Sequence, residues 1–256
     1  MIDRRLLATQ FRSDLKVFWR NPQSRYFTMM LPVVFLVIFA AIFEGYTVVE
    51  GHPIKLTTYY VPGIMTLGII SASFVNLTVA IVTQRESGVL KRVRATPVPP
   101  GVVITSRATV GVLVALIMSA LLLAIGHLAY DVRLPGATMP GLIAAVIVGA
   151  ASFCCLSFAI STLIGAADAA PPAVNLAVLP LYFISGVFVP EDQIPSFLRH
   201  VADLFPIRHL SQALLKPFID THGSGFAADH LLIVAIWGVA GLALATRTFR
   251  WTPKIA

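Results

Sequence analysis

The residues with the clearest chemical character form one charged segment in the first half of the chain. Its sequence is Gln84-Arg85-Glu86-Ser87-Gly88-Val89-Leu90-Lys91-Arg92-Val93-Arg94-Ala95-Thr96-Pro97. Thr83 can cap a first helical turn, the order of acidic and basic residues matches the helix dipole, and Pro97 stops the helix. A short helix is therefore predicted over about residues 84–96. Its charges and the apolar ridge of Val89, Leu90 and Val93 suit contact with a soluble partner; a solvated basic loop without a partner fits the spacing equally well.

Motifs for enzymatic chemistry are absent from the sequence. It has no GxxxxGK[ST] phosphate loop, no HExxH, no GxSxG and no Cys/His cluster with zinc spacing. The two cysteines, Cys154 and Cys155, are adjacent inside an apolar stretch, where sulfur most often acts as a small apolar group. We therefore expect a chain that is not an enzyme and that binds no cofactor or metal itself.

The elements that must position the charged segment are long apolar stretches. The 256 residues are 57% hydrophobic and 12% charged, with a net charge of +7, whereas soluble domains are about 25% charged. No basic patch with interleaved aromatic residues points to nucleic acid. A membrane-spanning helix needs about 20 apolar residues, and six stretches come close enough to qualify: 27–43, 59–82, 108–129, 140–163, 172–189 and 231–246. Buried strands are the alternative for such runs, but these blocks are too long and too continuous for strands.

The predicted fold is therefore all-α, a polytopic membrane protein with six transmembrane helices in a single membrane domain. Residues 1–26 are predicted to be an interfacial helical segment, residues 27–246 the six-span bundle and residues 247–256 a tail. Lys and Arg are concentrated in the N-terminal segment, the loop after span two and the tail, which carry 14 of the 19. By the positive-inside rule both termini are cytoplasmic.

The N-terminal segment has the pattern of an amphipathic helix. Leu7, Phe11, Leu15 and Phe18 share one face, and the opposite face carries Arg5, Arg12, Lys16 and Arg20. This pattern predicts a helix on the cytoplasmic leaflet, with its apolar face in the headgroup boundary and its cations on anionic lipid. Asn21-Pro22 ends it. A juxtamembrane segment without a fixed helix is the alternative.

The outer segment at about residues 190–228 also has a helical repeat. Its apolar positions recur at intervals of three and four residues: Ile194, Phe197, Leu198, Val201, Leu204 and Phe205. A helix that dips into or rests on the outer leaflet fits this pattern, and so does an outer loop packed on the bundle.

Polar residues within the apolar stretches are amides and hydroxyls rather than ionisable groups. Asn76 and Asn175 either bond neighbouring helices or line a path for polar parts of a substrate. Without a buried ionisable relay, a secondary transporter is disfavoured. A transport protein of this kind must receive energy from a partner, and the charged segment is the place to receive it.

These features together resemble the permease of a type 2 ATP-binding-cassette exporter, in the branch of daunorubicin-type drug export permeases. The resemblance covers nearly the whole chain. It rests on the basic helix with Arg20-Asn21-Pro22, the six stretches, the charged segment through Val98, and the outer residues Ser185-Gly186-Val187-Phe188-Val189-Pro190 with Phe205-Pro206. Val89-Leu90 departs from the family pattern, which most often has a glycine-like turn and Thr there.

The resemblance implies roles for particular residues. Residues 6–20, with Arg12, Lys16 and Arg20, would form a connecting helix beside a nucleotide-binding subunit. Residues 85–94 would form the coupling helix and contact that subunit through Arg85, Glu86, Gly88, Leu90, Lys91, Arg92 and Arg94. Two permeases, identical or homologous, would enclose a path lined by spans two and five. On this chain the path candidates are Phe74, Asn76, Asn175, Leu179, Tyr182 and Phe183.

The function implied by the resemblance is export of an amphipathic drug or lipid-like molecule across a bacterial plasma (inner) membrane. ATP and Mg²⁺ would be bound by the separate nucleotide-binding subunit, and membrane lipids would be further partners. A lipid-linked glycan is an alternative cargo within the same family. A secondary transporter or channel, and a scaffold that only docks a partner, are alternatives from other classes.

Overall fold

The computed structural model describes residues 4–43, 47–50, 52–96, 98–190, 193–220 and 223–248. The first half of this part contains α1 (Arg4–Arg20), α2 (Pro22–Ile42), α3 (Leu56–Ile70), a π-helical turn (Ser71–Val75), α4 (Asn76–Glu86) and α5 (Val89–Arg94). The second half contains α6 (Pro100–Tyr130), α7 (Met139–Ser161), α8 (Ala170–Ile184), α9 (Ser196–Ala202), α10 (Pro206–Ile219) and α11 (Ala228–Thr248). The predicted helical class is confirmed.

One short β-hairpin, which the sequence did not predict, accompanies the helices. Strands β1 (Thr47–Glu50) and β2 (His52–Lys55) pair antiparallel, with Thr47 opposite Lys55. β-Branched residues in Thr-Val-Val-Glu and His-Pro-Ile-Lys, on either side of Gly51, favour extended backbone. An ion pair of 3.6 Å joins Lys55 to Asp131 at the end of α6. Both side chains are largely exposed, so this pair contributes little to stability.

Each of the six predicted apolar stretches falls on an apolar helix. Four helical ranges in the described part of the chain are long and apolar enough to cross a membrane: Leu56–Glu86, Gly101–Tyr130, Met139–Ser161 and Ala228–Thr248. Two further apolar helices, Thr28–Ile42 and Ala170–Ile184, are shorter. The fifth stretch was predicted to reach residue 189, but α8 ends at Ile184 because Gly186 takes a left-handed conformation, with φ of 75°.

The centre of the bundle is α3. Every residue of α3 is buried, and the helix packs against α2, α6 and α10. Ile64, Met65 and Ile69 are fully enclosed there. α7 packs along α11 and α6 on the other side of the π-helical turn. α4, which continues from the π-helical turn, packs against α7 and α8.

The predicted helical segment at about residues 190–228 contains two helices, α9 and α10. Pro206 starts α10, so the apolar repeat from Ile194 to Phe205 yields only the short α9 and a turn. Ten residues of α10 are buried, and it packs against α3, α7 and α11. His209 in α10 contacts the carbonyl oxygen of Asp203 at 2.9 Å and the Nδ1 atom of His230 in α11 at 2.9 Å. α10 is therefore an integral part of the bundle.

Candidate functional site

The charged segment forms a turn between two helices. α4 continues through Thr83 to Glu86, and the Ser87 N–H donates to the Thr83 carbonyl at 2.9 Å. Gly88 then adopts φ of 73°, a conformation that side chains disfavour, and α5 starts at Val89. The predicted helix over about 84–96 therefore begins later than expected. Thr83 lies inside α4 and does not cap it.

Leu90 fixes α5 to the bundle. Its side chain is 1% exposed and packs in a cluster with Ile81 of α4, Phe158 and Ala159 of α7, and Ala245 of α11. The apolar ridge predicted for a soluble partner thus loses its central member, because Leu90 is used inside the permease. Val89 and Val93 remain half-buried.

Three cations of α5 face outward. The side chains of Lys91, Arg92 and Arg94 are exposed, and we call them the basic surface. Glu86 is exposed beside them at the end of α4. These are the residues of the predicted coupling helix that the fold leaves accessible from outside.

The C-terminal end of α4 is hydrogen-bonded to three other parts of the chain, through Gln84, Arg85 and Glu86. Gln84 accepts a hydrogen bond from the guanidinium of Arg107 in α6. Arg85 donates through Nη1 to the Ser161 carbonyl at 2.9 Å and through Nη2 to the Ile164 carbonyl. Glu86 accepts from the backbone N–H of Ala167. Successive residues of a helix point about 100° apart, so three in a row reach three neighbours. We call this set the three-residue tie.

Arg85 lies beneath the surface rather than on it. Its side chain is 3% exposed, although a partner contact was expected from it. Because the last carbonyls of a helix have no partner within that helix, the guanidinium satisfies one at the end of α7 and another in the connection to α8. The same connection contains Asp168, which is exposed in a turn.

The apolar face of α1 packs on the protein. Phe11, Leu15 and Phe18 contact a buried cluster formed by Ala72 of the π-helical turn and by Val110 and Val114 of α6. The prediction that this face sinks into the headgroup boundary is therefore corrected: most of it is covered by the bundle. Arg12, Lys16 and Arg20 are exposed on the other face. α1 ends at Arg20, as Asn21-Pro22 predicted.

The six path candidates separate into two groups. Phe74 is 8% exposed and packs edge-on against Phe153, while Tyr182 is 4% exposed and packs edge-on against Phe188. Asn76 donates to the Thr28 hydroxyl and so joins α4 to α2. The exposed candidates are four residues apart and share one face of α8: Asn175, Leu179 and Phe183.

Sequence reasoning missed two sets of contacts. The hydroxyls of Thr78 and Ser157 form a buried hydrogen bond of 3.0 Å between α4 and α7. Phe188, which follows the C-terminal end of α8, lies in an aromatic cluster, stacked on Phe39 with ring centres 5.8 Å apart and close to Tyr182 and Phe183. Thr78 is a polar residue inside an apolar stretch, and this pattern indicated that its hydroxyl needs a hydrogen-bond partner. The pairing partners of both sets follow only from the tertiary fold.

Among the described residues no three His, Cys, Asp or Glu side chains come together as metal ligands. The candidate site is instead a basic surface on the short helix α5, which follows the end of α4 where hydrogen bonds reach α6, the end of α7 and the connection before α8.

A bundle of apolar helices, four of them in the described part of the chain long enough to cross a membrane, is typical of a multi-pass membrane protein. The chain matches the ABC-2 type transporter family over residues 5–219, and it belongs to that family. It is accordingly a permease of an ATP-binding-cassette exporter, the membrane component of the transporter. The match is to the family as a whole and does not single out the daunorubicin-type branch. A comparison with curated proteins found no match.

Proposed function

We propose that the chain is the transmembrane subunit of an ATP-driven exporter in a bacterial inner membrane. It moves an amphipathic drug or lipid-like molecule outward, using ATP and Mg²⁺ bound by a separate nucleotide-binding subunit. Family membership supports the exporter class. The three-residue tie is the observation that carries the mechanism, because it bonds the end of α4, which leads directly into the basic helix α5, to α6, to the end of α7 and to the connection before α8.

The proposed topology has six spans with both termini in the cytoplasm. The two shorter apolar helices, α2 and α8, complete the count with the four long ones. Short spans are accommodated by local thinning of the bilayer or by packing against other helices. The excess of Lys and Arg in the segments at one end supports the orientation.

A second permease, identical or homologous, completes the path. The face of α8 with Asn175, Leu179 and Phe183 is exposed in the single chain, and Leu176 beside it is 77% exposed. An amide among large apolar side chains suits both a second subunit and an amphipathic cargo.

Force enters at the basic surface. Acidic groups of the nucleotide-binding subunit pair with Lys91, Arg92 and Arg94, and Arg12, Lys16 and Arg20 of α1 lie against the same subunit. ATP binding closes the two nucleotide-binding subunits, and this motion displaces α5. Because the Leu90 side chain is packed against α4, α7 and α11, α5 moves together with these helices. Glu86 and Arg85 then pass the displacement to the connection before α8. Movement of α8 opens the outer aromatic cluster around Phe188.

Charge reversal on the basic surface tests this proposal. The triple variant Lys91→Glu, Arg92→Glu, Arg94→Glu is compared with Arg133→Glu, a matched exposed cation beyond the opposite end of α6. Tagged protein is purified in mild detergent, co-purified proteins are identified by mass spectrometry, and ATPase activity is measured.

We expect a stoichiometric partner with a phosphate-binding loop and ATPase activity from the unmodified chain and from Arg133→Glu. The triple variant should lose most of both. A chain that purifies alone in every case, or a triple variant that keeps its partner, contradicts the proposal. Uptake of a fluorescent amphipathic dye into inverted vesicles, with and without ATP, then tests export directly.

A further inference from the structure

A cavity of about 120 Å³ lies between α1, α4 and α6. α1 contributes Asp14, Val17, Phe18 and Asn21, and α4 and α6 contribute residues at helical spacing on facing sides. At the far end α4 gives way to the π-helical turn, from which Ala72 lines the cavity. π-Helical turns inside α-helices occur frequently at functional sites.

The cavity is a slot that runs along the helices. On one side its lining extends from Ala72 to Gln84, a helical length of about 18 Å at 1.5 Å per residue. On the facing helix it extends from Val114 back to Arg107. Gln84 and Arg107, which are hydrogen-bonded to each other, mark the same end of the slot. That end lies beside the charged segment, and the opposite end lies inside the apolar bundle.

The two ends differ in chemistry. Ala72 and Val114 line the deep end, and Ala80 lies one helical turn before Gln84. At the charged end, both carboxylate oxygens of Asp14 already accept hydrogen bonds, from Gln10 and from the hydroxyl of Ser106. Arg107 has five N–H donors, and one of them is used by Gln84. The end with polar groups therefore offers the remaining N–H donors of Arg107 beside the Asp14 carboxylate, while the lining towards the other end is apolar apart from Asn76, whose amide donates to Thr28.

The slot opens at its rim. Val17 is 56% exposed there and Asn21 is exposed, at the junction of α1 and α2. α1 also carries the exposed cations Arg12, Lys16 and Arg20, which attract anionic headgroups on the cytoplasmic side of a membrane. A comparable apolar cavity of about 150 Å³ binds benzene, so a slot of this size holds part of an acyl chain.

We propose that this slot binds one anionic phospholipid of the inner leaflet. Its acyl chain lies between Ala72, Ala80 and Val114, and its phosphate accepts hydrogen bonds from Arg107. The bound lipid fastens α1 to α4 and α6. The placement in the inner leaflet rests on the topology given under the proposed function, but the site requires neither the nucleotide-binding subunit nor a transported cargo, so its test can fail or succeed independently of the export mechanism.

The test uses the full chain in phosphatidylcholine vesicles that contain a small fraction of phosphatidylglycerol with a diazirine in its acyl chain. After irradiation, modified peptides are mapped by mass spectrometry. We expect adducts concentrated within residues 72–80 and 110–114, severalfold above those at the exposed residues Ile117 and Leu121 of α6. Adducts distributed in proportion to the surface exposure of each residue would overturn the proposal. The unmodified protein is sufficient for this map.

Two variants test the acyl-chain site and the headgroup site separately. Ala80→Leu fills the slot and should reduce the adducts severalfold, whereas the same substitution at Ala124, exposed on α6, should leave them unchanged. Arg107→Gln should remove the preference for labelled phosphatidylglycerol over an identically labelled phosphatidylcholine. Unchanged labelling in Ala80→Leu, or an unchanged lipid preference in Arg107→Gln, contradicts the assignment.

Inorganic phosphate distinguishes the source of the anionic group. An excess of it should not displace the labelled lipid, because the acyl chain contributes most of the contact. Displacement by inorganic phosphate alone would identify a free-anion site and overturn the lipid assignment.

Discussion

The Nη1 atom of Arg85 lies 2.9 Å from the carbonyl oxygen of Ser161, 76 residues further along the chain. This bond joins the last turn of α4 to the last turn of α7, and the second guanidinium nitrogen reaches the Ile164 carbonyl just beyond it. Because the guanidinium is buried, water cannot replace its hydrogen bonds to these two carbonyls. The pair therefore fixes the relative position of the charged segment and the connection to α8.

Replacing Arg85 should lower both stability and coupling. Arg85→Met leaves the carbonyls of Ser161 and Ile164 without these donors, and hydrogen bonds to charged groups contribute about 1.5–3 kcal/mol each. We expect a melting temperature several degrees lower in detergent, and ATPase activity of the assembled complex that no longer responds to cargo. Arg85→Lys keeps the charge and should be intermediate.

Arg94→Met is the control for that measurement. Arg94 is exposed on the basic surface, so its loss should leave the melting temperature unchanged while it weakens partner binding. If Arg85→Met and Arg94→Met had equal melting temperatures, the structural role of Arg85 would be refuted.

Gly88→Ala tests the turn between α4 and α5. A Cβ atom at Gly88 meets no atom within 4 Å, so the cost comes only from the backbone, which has φ of +73°. A left-handed conformation costs a side-chain-bearing residue about 1–2 kcal/mol. We expect a lower melting temperature and weaker partner binding, because α5 changes direction, with Gly88→Asn closer to the unmodified protein.

Gly101→Ala is the matched substitution for Gly88→Ala. Gly101 also has open space around it, but it lies in the first turn of α6 and has no positive φ. Alanine is a better helix former than glycine, so stability should stay the same or rise slightly. Equal losses at positions 88 and 101 would show that the left-handed turn is not the cause.

Thr78 and Ser157 lend themselves to a double-mutant cycle. Their hydroxyls are buried and 3.0 Å apart. Thr78→Val or Ser157→Ala alone leaves one buried hydroxyl without its partner, at about 1–3 kcal/mol, whereas removing both hydroxyls together is close to neutral. Chemical unfolding of the four proteins in micelles measures this, and strictly additive losses would argue against the bond.

Much of this architecture could be predicted from the sequence because membrane-spanning helices have a strong local signal. The six apolar stretches and the break at Asn21-Pro22 depend on composition and on local backbone preferences. The basic residues of α5 were also identified as accessible charges, since three cations so close together are rarely buried.

The roles of Arg85 and Leu90 could not be predicted in the same way. Both occur in a charged, partner-facing pattern, yet their side chains are enclosed by helices far along the sequence. The apolar face of α1 gave a similar error, because periodicity shows that a face is apolar but not whether lipid or protein covers it. The β-hairpin was missed since two strands of four residues give a weak signal beside long apolar blocks.

Gly63→Ala tests the outer end of the bundle. A Cβ atom at Gly63 in α3 would lie 2.6 Å from the carbonyl oxygen of Val187, in the stretch that follows α8. The neighbouring Gly186 carbonyl accepts a hydrogen bond from the Tyr59 hydroxyl at 3.0 Å, so this stretch cannot easily retreat. Overpacking of this kind costs about 1–3 kcal/mol. We expect faster hydrogen exchange at residues 186–189 and a lower melting temperature.

Gly68→Ala supplies the comparison within the same helix. Its nearest contact would be the Pro32 side chain at 3.6 Å, an ordinary van der Waals distance, so exchange at residues 186–189 should stay slow. Because Phe188 is part of the displaced stretch and stacks on Phe39, Gly63→Ala should also loosen the aromatic cluster. Unchanged exchange in Gly63→Ala would mean that α3 does not hold the outer cluster closed, and the opening step assigned to Phe188 would then need another restraint.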